Sequence, residues 1–148
     1  MKSLFAASLA IFASGGWAGL GDGPANLGPH ALTTRTHQAS TGAAATYTQV
    51  DRTLDSGTSV HEYVDAHGAV FAVSWSGPFL PDLKEILGSH FEALAARAGR
   101  REGAGRSSQL VVKQAHLVIV SGGHMGAFEG KAWLPARLPA GFNPDGIQ

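Results

Sequence analysis

The block at 121–126 (SGGHMG) holds the residue types best suited to chemistry. Two glycines beside a polar residue can expose backbone N–H groups to an anion, as in an anion-binding nest or an oxyanion hole. Ser121 and His124 could serve as the nucleophile and the base of an acyl transfer. A hydrolase also needs a carboxylate behind the histidine, such as Glu62 or Glu129, and the chain has no G-x-S-x-G elbow. We therefore interpret the block as a tight glycine turn capped by His124, and keep hydrolysis as the alternative.

A second possibility is an aromatic pocket for a small apolar or sugar ligand. Trp75, Phe79, Phe128 and Trp133 could line it, although aromatic residues at strand spacing are more often core. Trp133 stands out because it falls near the end of a predicted edge strand before Pro135. The ligand-binding candidates are therefore Ser121, Gly122, Gly123, His124, Met125 and Trp133.

Histidines offer a third chemistry. The chain has seven, and His61, His116 and His124 lie in or beside predicted strands and turns. If they converge at one end of a sheet, their imidazoles suit Zn²⁺, Cu²⁺ or Ni²⁺. The alternative is that each is a turn or surface residue. HEYVD at 61–65 is one substitution from the H-E-x-x-H zinc motif, but that motif needs a helix and this segment is predicted to be a strand. We predict no cofactor.

The first 18 residues indicate where the protein works. A short positive start at Met1-Lys2 precedes an apolar run of about ten residues (LFAASLAIFA), and small residues occupy the −3 and −1 positions of a cut after Ala18. This is the pattern of a secretory signal peptide, and the run is shorter than the ~20 apolar residues that span a bilayer. No Arg-Arg pair precedes it, so we expect the general secretion route, to the periplasm or the extracellular space.

Composition narrows the class of partner. The 148 residues carry eleven basic and eleven acidic side chains, so nothing favours a nucleic acid or an anionic membrane surface. Cleavage after Ala18 leaves one domain of ordinary size, and without cysteine it must be held together by packing alone. We expect an unknown protein or small molecule as partner, and no integral membrane segment after signal cleavage.

Alternating patterns predict strands, and one stretch of helical period predicts a helix. In the strand AVFAVSWS, Phe71, Val73 and Trp75 alternate with other residues, which assigns all three to one core-facing side. From 81 to 98 apolar residues recur every three or four positions, with Gly88 inside as a point of bending or close packing. Six strands are predicted, at 45–54, 58–64, 69–76, 109–114, 117–121 and 127–134.

This order of elements predicts an α+β domain, with an antiparallel β-sheet of about five or six strands and one main amphipathic helix packed on it. We divide the chain into a signal peptide at 1–18, a flexible Gly/Ala/Ser/Thr-rich segment at 19–45 and a single α+β domain at 46–148. The basic stretch 99–107 is interpreted as a solvated loop. A phosphate-binding loop is the alternative there, but it lacks the strand before and the helix after that such loops need.

Three blocks together resemble a known family: HEYV at 61–64, VFAVSWSGP with the following PDLKEILGSHF at 70–91, and SGGHMGAFEGKAWLP at 121–135. They are similar to an exported proteobacterial family catalogued as domain of unknown function twenty-eight forty-four. The resemblance runs from the predicted hairpin to the C-terminus and implies export and a shared fold. It carries over no catalytic residues.

On these grounds we expect an exported small globular protein that acts as a non-enzymatic binding or accessory module of the cell envelope. We assign no catalytic residue. The alternatives are a hydrolase that uses Ser121 and His124, and divalent-metal binding by His61, His116 and His124.

Overall fold

A seven-stranded antiparallel sheet forms the centre of the protein. The structure, a computed structural model, describes residues 18–40, 46–100 and 109–147. The predicted signal peptide up to residue 17 and residues 101–107 of the predicted loop lie outside this range. The strands are β1 (Ala31–Ser40), β2 (Thr46–Leu54), β3 (Ser59–Val64), β4 (Val70–Gly77), β5 (Leu110–Gln114), β6 (Leu117–His124) and β7 (Ala127–Trp133). The helices are α1 (Leu83–Leu87) and α2 (Phe91–Gly99), with 3-10 turns at Gly28–His30, Gly88–His90, Pro135–Arg137 and Pro144–Gly146.

The strands are arranged in the order β1-β2-β3-β4-β7-β6-β5. β1 to β4 follow one another as a meander, the helices carry the chain to the far edge, and β5 to β7 return by hairpins until β7 pairs with β4. The predicted α+β class with an antiparallel sheet is confirmed. The count is seven strands rather than five or six, because β1 comes from a polar segment that has no alternation of apolar residues to indicate a strand.

The segment before β1 packs on the same side of the sheet as the helices. Leu20 is fully buried there, and Ala25 and Leu27 are nearly so. The Leu20 N–H donates to the carbonyl oxygen of Ile86 at 2.9 Å. The packed unit therefore begins well before residue 46, where the sequence placed the start of the domain.

The predicted helix is present but divided. α1 begins after Asp82, whose carboxylate accepts the N–H groups of Lys84 and Glu85 and so caps the helix. Gly88 then has a φ of +54°, and a Cβ there would lie 2.9 Å from the carbonyl oxygen of Ala18. Both the bend and the close packing expected at Gly88 are found. Within the described part of the chain, no helix has the length and apolarity needed to cross a bilayer.

One face of the sheet, called here the helix face, packs against α1 and α2. Ile86 and Leu87 of α1 are fully buried against it. Burial of this apolar surface is the main force that stabilises the fold. The strand residues of the helix face include Val60, Glu62, Val73, Trp75 and Ile119.

The opposite face, called here the outer face, is covered in part by the C-terminal segment that follows β7. Phe142 of this segment packs among Tyr47, Tyr63 and Phe71, and the ring centroids in the cluster are 5.0 to 6.4 Å apart. Several of these pairs meet edge to face, the arrangement that the ring quadrupoles favour. The aromatic cluster therefore fixes the C-terminal segment to the sheet.

Phe71 belongs to this outer cluster, which corrects the expectation that Phe71, Val73 and Trp75 share one face. Tyr63 pairs with Ala72, but the next residue of β3 pairs with Val70, so Phe71 is an extra residue in β4. Such a bulge interrupts the alternation of faces. All three residues are buried, but they lie in two different cores.

Candidate functional site

A cavity of about 440 Å³ opens on the outer face, beside the C-terminal segment. Ser74 and Ser76 of β4 and Glu129 and Lys131 of β7 supply polar side chains to its wall. Its volume lies within the range of about 300–1,000 Å³ that small-molecule sites occupy. The wall is completed by Trp75, Gln109, Val120, Gly122, Gly130 and Ile147.

Strand pairing sets these polar groups next to one another. Ser74 lies opposite Lys131, and Ser76 lies opposite Glu129. Gly122 of β6 flanks Glu129 on the other side. Paired side chains on one face have their Cβ atoms about 4.5–5.5 Å apart. Because Gly122 adds no side chain, two hydroxyls, a carboxylate and an ammonium face one open hollow.

Lys131 links the cavity to the C-terminal segment. Its ammonium donates to the carbonyl oxygens of Pro144 at 3.1 Å and Asp145 at 3.4 Å. The same nitrogen lies 5.8 Å from the centre of the Trp133 ring. These contacts keep the buried Ile147 at the edge of the cavity. An ammonium has three donors, so one of them is available to a ligand.

Ser74 connects the cavity to the aromatic cluster through a hydrogen bond with the Tyr63 phenol. Burial raises the pKa of this phenol. The bond with Ser74 acts in the opposite direction, and Tyr47 and Asp51 add to the rise. Tyr63 is therefore neutral at physiological pH and holds the Ser74 hydroxyl in place.

Trp75 and Gly130 lie under the cavity and set the packing of β4 against β7. Trp75 is 1% exposed, and a Cβ on Gly130 would overlap the Cζ2 and Cε2 atoms of its ring. Glycine is therefore required at 130 for the indole to fit. Among the described residues, the Trp75 Nε1 is the one buried side-chain nitrogen or oxygen without a hydrogen-bond partner.

The structure separates Ser121 from His124. Ser121 is on the helix face and is buried, whereas His124 is exposed at the end of β6 with its Nδ1 3.1 Å from the carbonyl oxygen of Met125. Positions three apart on a strand point to opposite faces. Glu62 is fully buried and paired with Arg52, so it does not orient His124. The Ser121 and His124 side chains are therefore not brought together as a nucleophile and its base.

The glycine block has a different role from the turn that the sequence suggested. β6 continues through Gly122 and Gly123 to His124, so the turn lies at 125–126. Gly123 has a φ of +116°, and a Cβ there would overlap the Ala127 carbonyl oxygen of the paired strand. Gly122 lines the cavity, and Met125 is 91% exposed at the hairpin tip. Trp133 lies on the outer face and packs against the cluster that contains Tyr63 and Phe71. Its strand, β7, is paired on both sides, so the expectation of an edge strand was wrong.

The three histidines considered for metal binding are not brought together. His116 precedes β6 and His124 ends it, so the length of an eight-residue strand, roughly 25 Å, separates them. His61 lies within β3 on the outer face. Across the residues that the structure describes, no three His, Asp or Glu side chains form a group able to hold a metal ion.

His61 instead belongs to a polar cluster that sequence reasoning missed. Its Nδ1 lies 2.6 Å from the Asp51 carboxylate, which also accepts the Gln49 Nε2 at 2.8 Å and has His37 Nδ1 at 3.6 Å. Burial raises the pKa of Asp51, but the bonds from His61 and Gln49 and the charges of both histidines lower it more. Only the pairing of β1, β2 and β3 brings these residues together.

Comparison with known proteins bears on family membership. The family described as Protein of unknown function (DUF2844) matches residues 17–147, nearly the whole chain. No curated protein and no solved structure matches the chain. The family match agrees with the resemblance seen in the three sequence blocks. The chain therefore belongs to the DUF2844 family of proteins of unknown function.

Proposed function

We propose that this protein is an exported, non-enzymatic binding module of the cell envelope, and that the cavity on the outer face holds its ligand. The observation that carries the proposal is the convergence of Ser74, Ser76, Glu129 and Lys131 on one hollow of about 440 Å³. A few polar groups that converge on a concave surface are the usual mark of a small-molecule site. The opposite orientations of Ser121 and His124 favour binding over hydrolysis.

The side chains of the cavity favour a small zwitterionic ligand. Lys131 can donate to a carboxylate, Glu129 can accept from an ammonium, and a serine hydroxyl can do either. Val120 and Ile147 add apolar contact next to these groups. Amino acids and short peptides carry both charges a few bonds apart, so we propose them as the ligand class.

Thermal unfolding against a panel of amino acids and dipeptides tests the proposal. A ligand at about 100 times its Kd stabilises the native state by about 2.7 kcal/mol, which is a shift of several degrees. Fluorescence gives a second readout, because Trp133 lies beside Lys131, a residue of the cavity wall.

A pair of matched variants locates the response. Ser76→Phe fills the hollow from an exposed strand position, so it should abolish the response and leave the fold intact. Thr53→Phe places the same ring at an exposed outer-face position of β2 outside the cavity, and the response should remain. Binding retained by Ser76→Phe, or no response across the panel, contradicts the proposal.

Export is tested separately by N-terminal analysis of the protein from fractionated cells. We expect a chain that starts at Gly19 in the periplasmic or extracellular fraction, because Gly16 and Ala18 are the small residues that a signal peptidase requires. A chain that keeps Met1 and stays in the cytoplasm contradicts export.

A further inference from the structure

A second cavity, of about 340 Å³, lies where β6 begins and β7 ends. Its polar wall comes from four separate parts of the chain: Asp22 before β1, Ser89 and His90 in the 3-10 turn between the helices, His116 in the β5–β6 turn, and Arg137 in the 3-10 turn after β7. None of these residues lines the cavity on the outer face. Binding in this second cavity therefore does not depend on the ligand site proposed on the outer face.

The wall combines cationic and neutral donors. Arg137 is always positive, and His90, His116 and Ser89 each carry a polar hydrogen that can donate to an anion. Among the described residues, Asp22 is the one carboxylate in the wall. The wall therefore offers more hydrogen-bond donors than acceptors.

Two contacts arrange the donors before any ligand arrives. The Arg137 Nη1 donates to the Gly21 carbonyl oxygen at 2.9 Å, which uses one of five guanidinium donors and holds the group at the cavity. Gly21 has a φ of +96°, and a Cβ there would lie 3.3 Å from the His90 Nε2. The glycine at 21 therefore keeps the approach to this imidazole nitrogen open.

The protein groups around His90 disfavour its charged form. Burial lowers the pKa of His90, and the positive charges of His116 and Arg137 lower it further, while Asp22 raises it. An anion placed among these groups reverses the balance, because it attracts all three cations at once.

We propose that this cavity is an oxyanion site that binds a phosphate-like group through Arg137, His90, His116 and Ser89. The guanidinium presents paired N–H groups to two oxygens, and each imidazole and the serine hydroxyl donates one bond. Phosphate has more acceptor oxygens than a simple carboxylate, so it binds more tightly.

Titration of the purified protein with inorganic phosphate, followed by the NMR signals of the histidine rings, tests this site. We expect saturable shifts of the His90 and His116 signals. Acetate should bind more weakly. Unshifted His90 and His116 signals, or acetate binding as tight as phosphate, overturns the proposal.

Variants separate this site from the rest of the surface. Arg137→Gln should weaken phosphate binding by about tenfold or more. Because Arg137 also holds Gly21, His116→Gln in an exposed turn serves as a second variant, with weaker phosphate binding and unchanged unfolding. His67→Gln, in the exposed β3–β4 turn, and Ser76→Phe should leave phosphate binding unchanged. The proposal is overturned if neither Arg137→Gln nor His116→Gln weakens phosphate binding.

Discussion

Replacing Glu62 by alanine should be among the most destabilising changes in this protein. Glu62 is fully buried on the helix face of β3. One of its carboxylate oxygens accepts from the Arg52 guanidinium of β2, and the other accepts the Ala25 N–H at 2.7 Å. One side chain therefore joins two strands and the segment that precedes β1.

The size of the effect follows from what the substitution leaves behind. The Arg52 side chain is 11% exposed, and burial lowers its pKa, so water does little to replace the lost carboxylate. Removal of one partner of a buried ion pair costs about 3–5 kcal/mol. The orphaned Ala25 N–H adds to this cost, since a buried donor without an acceptor costs about 1–3 kcal/mol. We expect Glu62→Ala to cost at least about 3 kcal/mol, which lowers the Tm by about 10–20 °C.

Thermal and urea unfolding followed by circular dichroism measures this difference. Asp55→Ala is the matched control, because its pair with His30 is solvent-exposed, with side chains 52% and 71% accessible. Such pairs contribute about 0–1 kcal/mol. Leucine at both Arg52 and Glu62 removes both charges and should recover part of the loss. A cost below about 1 kcal/mol for Glu62→Ala refutes the reasoning, and so does a double variant less stable than the single one.

Three further predictions concern the two faces of the sheet. Gly130→Ala should destabilise the fold by about 1–3 kcal/mol and alter tryptophan fluorescence, because the new methyl group overlaps the Trp75 ring. Gly146→Ala, which meets open space, is its control, and equal unfolding curves for the two variants contradict this packing. The pKa of Asp51 is lower in the folded protein than in the unfolded chain. The Asp51 carboxylate therefore stabilises the fold at pH values above about 3.9, its pKa in the unfolded chain, and this stabilisation is lost as the pH falls through its pKa in the folded protein. The stability difference between wild type and Asp51→Asn should therefore shrink on acidification, and a difference that grows instead counts against the cluster. Phe142→Ala should cost about 3–5 kcal/mol in urea unfolding, because three rings lie within 5.0 to 5.6 Å of its ring, and a neutral result shows that the C-terminal segment does not stabilise the sheet.

The main elements could be predicted from local patterns, and the exceptions have physical causes. The apolar spacing of 81–98 and the position of Gly88 predicted a helix with a bend or close packing at the glycine, because these effects act within a few residues. β1 could not be found in this way, since nearly all of its side chains are exposed and pairing with β2 is what forms it. The bulge at Phe71 was hidden as well, because the alternation of residue types continues through it.

The candidate site could be predicted only in fragments. Gly122 was singled out from its sequence block, and it does line the cavity. Ser74 and Ser76 alternate with core residues in β4, and Glu129 and Lys131 do so in β7, so each pair could be assigned to one face. Nothing local shows that β7 pairs with β4, and this long-range pairing creates the site.

Amide chemical-shift mapping of isotope-labelled protein tests the central claim, a ligand cavity on the outer face, most directly. With the amino acids and dipeptides that stabilise the protein, we expect shifts concentrated on Ser74, Ser76, Gly122, Glu129 and Lys131 that disappear in Ser76→Phe. Shifts confined to other surfaces, or no shifts with any member of the panel, contradict the claim.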